Sequence, residues 1–340
     1  MKIKVGVIGC GQIAQVGHLP GLTSIPEVEL IAVADIDEKK AKNAASKFGA
    51  QYYFTDWKEL IALNDIKAVS VAVPNYLHAE MTIAACNAGK HVLCEKPMAT
   101  SLDEAWAMIE ASRKNNVKLE ICMAHRYNPA AQTAKDILDS GLLGKVNMVM
   151  GYYGSPGPEY WSPDGKWFFD KKQAFGGSMA DLGIHEIDLI RFLIGSDIAK
   201  ASGFISTLEK KNATVEDNGI GTLVFENGTL CTMYASWTYK PGNSGLTLFC
   251  EKGTLYFGPN PFTDKPVAIQ LMDPPGLLIP EVLPKSKWGD RYQHFIKCIL
   301  EDKVPASNGW EGYKGLEVIT AIYESSETGK TISLPMVPRT

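Results

Sequence analysis

Five short apolar runs punctuate the first third of the chain, at residues 3–8, 28–34, 68–73, 91–94 and 118–122. Each is rich in β-branched residues and apolar along nearly its whole length. That is the pattern of strands buried on both faces of a parallel sheet. Between them, residues 12–22, 38–48, 57–63, 77–88 and 102–115 carry helix-like patterns. The alternation predicts right-handed βαβ units. Ser101, with Glu104 three residues later, predicts a capping box opening the last of these helices.

From about residue 145 the rhythm changes to longer strands joined by tight turns. Asn227-Gly228 separates strands at 222–225 and 229–234, and Lys252-Gly253 separates strands at 246–250 and 254–257. An antiparallel or mixed sheet follows. The Pro- and Gly-dense stretch 258–284 is expected to be a long loop over that sheet. Two helices close the chain, one on Tyr292, Phe295, Ile296, Ile299 and Leu300, the other on Leu316, Ile319, Ile322 and Tyr323, with Gly329 as its stop. The fold class is therefore α/β: a doubly wound parallel sheet over 1–123, then an α+β domain over 124–340.

Composition agrees with two cores, since 340 residues at 45% hydrophobic content exceed what one core usually holds. The net charge of −4, with basic residues dispersed, excludes the electrostatic footprint of a nucleic-acid binder. Seven cysteines without a Cys-x-x-Cys pair suit a reducing compartment. Met1 to Val5 runs straight into a strand, leaving no room for a signal peptide, and no apolar run reaches the ~18 residues of a membrane span. A cytoplasmic protein without membrane association is expected.

The first turn carries chemistry. Gly9-Cys10-Gly11-Gln12-Ile13-Ala14 fits G-x-G-x-x-G/A: Gly9 permits the turn, Gly11 lets a pyrophosphate approach the backbone, and Ala14 keeps helix and strand close. The amides of Gln12 and Ile13 open the helix that would face the phosphates. Asp35 ends the next strand 24 residues after Gly11, where it can accept the ribose hydroxyls and repel a 2′-phosphate. This favours NAD over NADP. Pro74, Asn75 and His78 follow the third strand, in the loop expected to border the nicotinamide.

Lys96 stands in Glu95-Lys96-Pro97 at the carboxyl end of the 91–94 strand, where open α/β sheets bind ligands. It can stabilise an alkoxide, Glu95 would set the lysine and nicotinamide positions, and a cis Lys96-Pro97 bond is expected to aim the lysine. Asp181 and His185 lie four apart, on one helix face, in Gly176-Gly177-Ser178-Met179-Ala180-Asp181-Leu182-Gly183-Ile184-His185. A histidine titrating near neutrality can take and return a proton. Such a pair can also be a surface hydrogen bond or two metal ligands, but no third ligand stands at suitable spacing, so no metal is expected.

On these motifs, with Glu186-Ile187-Asp188 and the closing stretch 315–329, the chain resembles the glucose-fructose oxidoreductase, inositol dehydrogenase and rhizopine catabolism protein family over nearly its whole length. The resemblance implies that Lys96, Asp181 and His185 form the catalytic set. It also implies a large open carboxyl-terminal sheet used for homodimers or homotetramers. His125-Arg126-Tyr127-Asn128 looks like the family's domain-junction segment, where Arg126 and Asn128 contact substrate or nicotinamide; an interdomain salt bridge is the alternative for Arg126. The implied substrate is a sugar, inositol or related polyol.

Tyr152, Tyr153, Tyr160, Trp161, Trp167, Phe168 and Phe169 crowd one stretch of a chain that is 9% aromatic. Their faces suit the CH faces of sugars, with Tyr153 and Trp167 as substrate contacts and Tyr239 as a lesser one, and they equally suit an interface or a packed loop. Two other functions fit the same residues: an NAD-dependent glycoside hydrolase acting by transient oxidation, and a non-catalytic NAD-binding regulator.

Overall fold

The computed structural model describes residues 2–337, so Met1 of the opening run lies outside them. The chain divides into two compact units. The first comprises Met1–Met123, Lys172–Phe175 and Trp288–Tyr313, and the second Ala124–Lys171, Gly176–Lys287 and Lys314–Thr340. A change of unit falls at 123/124, but 172–175 and 288–313 belong with the first unit rather than with the linear 124–340 domain.

Six parallel strands build the first unit: β1 Ile3–Ile8, β2 Val28–Ala34, β3 Tyr52–Phe54, β4 Ala68–Val71, β5 His91–Cys94 and β6 Leu119–Ile121. Their spatial order is β3-β2-β1-β4-β5-β6, so the order reverses between β1 and β4. Ligands bind outside the carboxyl ends of the strands at such a reversal. β3 is an edge strand with an exposed or half-buried sequence, and its three residues lack the apolar run that marks the others. Tyr292, Phe295 and Ile296 of the helix Arg291–Leu300 share one core with Val5, Val7, Leu30 and Val33. That apolar contact ties a late stretch of chain to the first sheet.

The helix expected over 12–22 is wound unevenly: Ala14–His18 forms a π turn before Leu19–Thr23 continues as α-helix. The helix Leu102–Lys114 has half of the expected capping box. Ser101 accepts from the Glu104 amide at 3.2 Å, whereas the Glu104 carboxylate turns to the amide and hydroxyl of Thr100, at 3.1 and 2.8 Å.

The second unit carries nine strands: β7 Val146–Gly154, β8 Ile198–Ser206, β9 Asn218–Phe225, β10 Leu230–Ser236, β11 Asn243–Cys250, β12 Gly253–Phe257, β13 Val267–Met272, β14 Pro275–Leu278 and β15 Ile332–Ser333. The order is β14-β13-β12-β11-β7-β10-β9-β8-β15, antiparallel throughout except for the parallel pair β7 and β10. The expected loop 258–284 in fact holds β13 and β14. Pro275 and Gly276 hid β14, but it is the edge strand, where a missing amide donor is tolerated. One face of this sheet is covered by the helix Ile184–Ile194 and its approach. The other face leaves Met148, Met150, Phe204, Ile220, Leu230 and Tyr234 exposed, at 39–75%. Among the described residues no helix is long and apolar enough to cross a membrane.

Candidate active site

In the first unit, every singled-out residue from the glycine turn to Lys96 follows a parallel strand or opens the next helix. Gly9 adopts φ +94°, and a Cβ there would stand 2.1 Å from the carbonyl oxygen of Ala72, so only glycine fits. Gly11 is different, since a Cβ built on it meets nothing within 4 Å. Its open side, at the start of the helix bearing exposed Gln12 and half-buried Ile13, suits a pyrophosphate. Asp35 braces the same turn: its carboxylate accepts from the amides of Cys10 at 2.8 Å and Asp37 at 2.9 Å. The residues present thus fit a dinucleotide.

The loop after β4 is held more tightly than a ligand-facing loop needs. Pro74 precedes the 3₁₀ turn Asn75–Leu77, and buried Asn75 gives its amide to the carbonyl of Ala174 at 2.8 Å. Fully buried His78 places its ring nitrogens 2.8 Å from the carbonyls of Pro97 and Val73. Burial lowers its proton affinity, against the pull of the two carbonyls. His78 therefore bolts the loop after β4 to the loop after β5. The Lys96-Pro97 bond is cis, as expected.

Glu95 is buried beneath Lys96. One carboxylate oxygen meets His18 Nε2 at 2.9 Å, and the other accepts from the Lys96 amide at 3.1 Å. Burial alone would raise its pKa. The hydrogen bond and charge of His18, with the cations of Arg291 and Lys96, outweigh burial and draw it down to about 2. Glu95, His18 and Cys122 are also the one set among the described residues with ligating atoms mutually within 4.8 Å. The Arg291 cation beside them and a thiol pushed far up by burial oppose a metal there.

In the second unit, Asp181 lies in a second π turn, Met179–Gly183, which runs into the helix Ile184–Ile194 carrying His185. Buried Glu216 builds that turn, accepting from the amides of Gly177 and Met179 and from Tyr323 Oη, each at 2.9 Å. Gly177 is obligatory there, because a Cβ would stand 1.7 Å from the Glu216 carbonyl oxygen. Asp181 accepts from the indole Nε1 of fully buried Trp237 at 3.1 Å, and Phe169 packs edge-on against that indole at 5.8 Å. His185 is stacked on His125, with centroids 4.7 Å apart and planes 17° apart, and Tyr153 stands 6.3 Å away. His125 in turn reaches Glu186 at 3.3 Å.

The structure thus brings Tyr153 beside His185 but not every expected substrate contact. Arg126 is buried and spends Nε and Nη2 on Asp188, both at 2.7 Å, within the second unit. Asn128 caps the helix Pro129–Asp139 through the Ala130 amide at 2.8 Å. Trp167 is stacked on Phe168 at 3.8 Å. Tyr239 packs over Gly154 and Tyr152, on the sheet face opposite Tyr153. Sequence reasoning missed His18, Trp237 and Glu216. Each is a buried polar group whose partner lies 37–77 residues away, a separation no local motif reports.

Three family models match. They are an oxidoreductase-family NAD-binding Rossmann fold over 3–122, a GFO/IDH/MocA C-terminal domain over 131–256, and an oxidoreductase-family C-terminal alpha/beta domain over 284–334. The chain is 35% identical to levoglucosan dehydrogenase of Pseudarthrobacter phenanthrenivorans over 179 residues, 52% of this chain and 45% of that one, so the match spans under half of that relative. It is 28% identical to 1,5-anhydro-D-fructose reductase of Ensifer adhaerens over 97% of this chain and 98% of that one. A structure of levoglucosan dehydrogenase in complex with NADH and levoglucosan superposes with a TM-score of 0.86 at 25% identity, covering 98% of this chain and 100% of that one.

Proposed function

The chain belongs to the Gfo/Idh/MocA oxidoreductase family, and on that footing we propose that it is an NAD-preferring dehydrogenase or reductase acting on a hydroxyl or carbonyl of a sugar, inositol or related polyol. The observation that carries this reading is the placement of the glycine turn, Asp35 and Lys96 after the carboxyl ends of three strands, β1, β2 and β5, of one parallel sheet. The full-length relative named above as a sugar reductase supports the substrate class. Neither the transient-oxidation hydrolase nor the silent regulator gains support from the relatives or the geometry.

Gly9, Gly11 and the amides of Gln12 and Ile13 would hold the pyrophosphate, and Asp35 the ribose hydroxyls; Pro74, Asn75, His78 and Glu95 shape the loops beside them. NAD, when bound, supplies the hydride acceptor. Lys96 donates to the substrate oxygen and stabilises it as negative charge develops. His185 takes the hydroxyl proton, and Asp181, held by Trp237, orients its partner groups. Tyr153 lines the substrate side of His185, whereas Arg126, Asn128, Trp167 and Tyr239 are placed better for structure than for substrate. We further infer that the exposed sheet face pairs with a second copy of the chain, because its apolar side chains form a contiguous patch.

The test is NADH formation across a panel of sugars, inositols and sugar acids. Turnover with at least one polyol is expected, and Lys96→Ala should lose ~10²–10⁴ of it while still binding NAD. Full turnover by that variant refutes the role of Lys96. NAD binding without turnover across the panel refutes the enzyme reading.

A further inference from the structure

Two π turns occur among the described helices, Ala14–His18 and Met179–Gly183. Such turns insert a residue at a small energetic cost and recur where a side chain must be aimed. The second carries Asp181. The first ends on His18, which lies on the helix following the glycine turn and is fully buried, with no role in the function proposed above.

His18 joins three elements. Its Nδ1 stands 2.6 Å from Ser70 Oγ on β4, and its Nε2 stands 2.9 Å from Glu95 Oε1 at the end of β5. A carboxylate only accepts, so Nε2 bears the proton and donates. The other Glu95 oxygen receives the Lys96 amide. Tyr292 closes the ring of His18 edge-on, with centroids 5.3 Å apart, and accepts from Arg291 Nη2 at 2.7 Å. Glu95 is therefore faced by His18, Arg291 and Lys96, with the thiols of Cys94 and Cys122 nearby. His18 and Glu95 are buried, and each oxygen of Glu95 has a donor.

We propose that His18 is a positioning residue for Lys96: it braces the helix that faces the dinucleotide phosphates against the Glu95 carboxylate, and that carboxylate fixes the lysine backbone through its amide. The inference rests on the reading of Lys96 as catalytic. The brace explains why a helix beginning at the phosphate site bends into a π turn at the residue that meets Glu95.

The first experiment needs no turnover: the rate of Lys96 acetylation by acetic anhydride at one fixed pH, read by peptide mass spectrometry in the full-length protein, should change about threefold or more in His18→Leu, while exposed Lys252 keeps its rate. His18→Leu should lower kcat about tenfold or more while the NAD Kd stays within about threefold, and His18→Gln, which keeps a donor toward Glu95, should recover part of the loss. An unchanged Lys96 acetylation rate or a wild-type kcat in His18→Leu, or in His18→Gln together with Glu95→Gln should the leucine variant not fold, overturns the proposal. If no polyol is turned over by the wild-type protein, the proposed function fails while the acetylation rate still decides this inference.

Discussion

Replacing Asp35 separates two things its carboxylate does. One is charge. A 2′-phosphate carries roughly −2 at neutral pH, and at about 5 Å from a carboxylate it is repelled by about 2 kcal/mol even with fully aqueous screening. That corresponds to roughly 30-fold weaker binding of NADPH than of NADH, and more as solvent is excluded. The other is the brace on the glycine turn through the amides of Cys10 and Asp37. Asp35→Asn removes the charge and keeps one acceptor, so it should cost little stability. Asp35→Ala strands the amide of buried Cys10 and should cost about 1–3 kcal/mol in urea unfolding. Ile36 is 91% exposed, so an arginine there can reach outward without repacking. Asp35→Asn or Asp35→Ala combined with Ile36→Arg should shift the NADPH/NADH preference by about 30-fold or more. The assay is titration of each nucleotide by quenching of protein fluorescence at fixed ionic strength. The reasoning is refuted by a wild-type protein that binds both nucleotides within a few-fold, or by a preference that the combined variants leave unchanged.

Trp237→Phe keeps a ring against Phe169 but removes the donor to Asp181 and leaves a cavity at a fully buried site; kcat should fall about tenfold and urea unfolding should lose about 1–3 kcal/mol, and an unchanged kcat would show that this hydrogen bond has no catalytic role. Asp217 is buried and accepts from the amides of Leu208, Glu209 and Lys210 at 2.7–2.8 Å. Burial alone would raise its pKa, but these bonds hold it below the ordinary 3.8. Its stabilisation is therefore present above that value and lost as pH falls through the folded one, so Asp217→Asn should cost about 2 kcal/mol at pH ~7 and less near pH ~3, as unfolding at both pH values will read. Met150→Glu together with Ile220→Glu should turn an oligomer into monomers in sedimentation velocity, and an unchanged sedimentation coefficient would exclude the open sheet face as the interface.

Much of the first unit is legible because its strands are buried on both faces and so announce themselves as unbroken apolar runs. β1, β2 and β5 fall on the residues expected, while β3 and β14 were lost because edge strands need neither full burial nor a full set of amide donors. The glycine turn was legible from Gly9 and Gly11 because steric demand leaves a local mark. The support of the site was not. His18 and Trp237 act through partners brought together only by tertiary packing, and Asn75 and Arg126, which sit in suggestive sequence contexts, turn their side chains to Ala174 and Asp188 instead.

The sharing of one core between β1 and the helix Arg291–Leu300 bears on how the chain is made. At about 5–20 residues per second, a ribosome delivers that helix roughly ten to thirty seconds after β6 has emerged. Until then Val5, Leu30 and their neighbours lack the side chains of Tyr292, Phe295 and Ile296 that cover them. The nucleotide-binding unit thus cannot mature first and wait for its partner. Its core stays open until that helix has been made, and a fragment cut at residue 123 should aggregate rather than bind NAD.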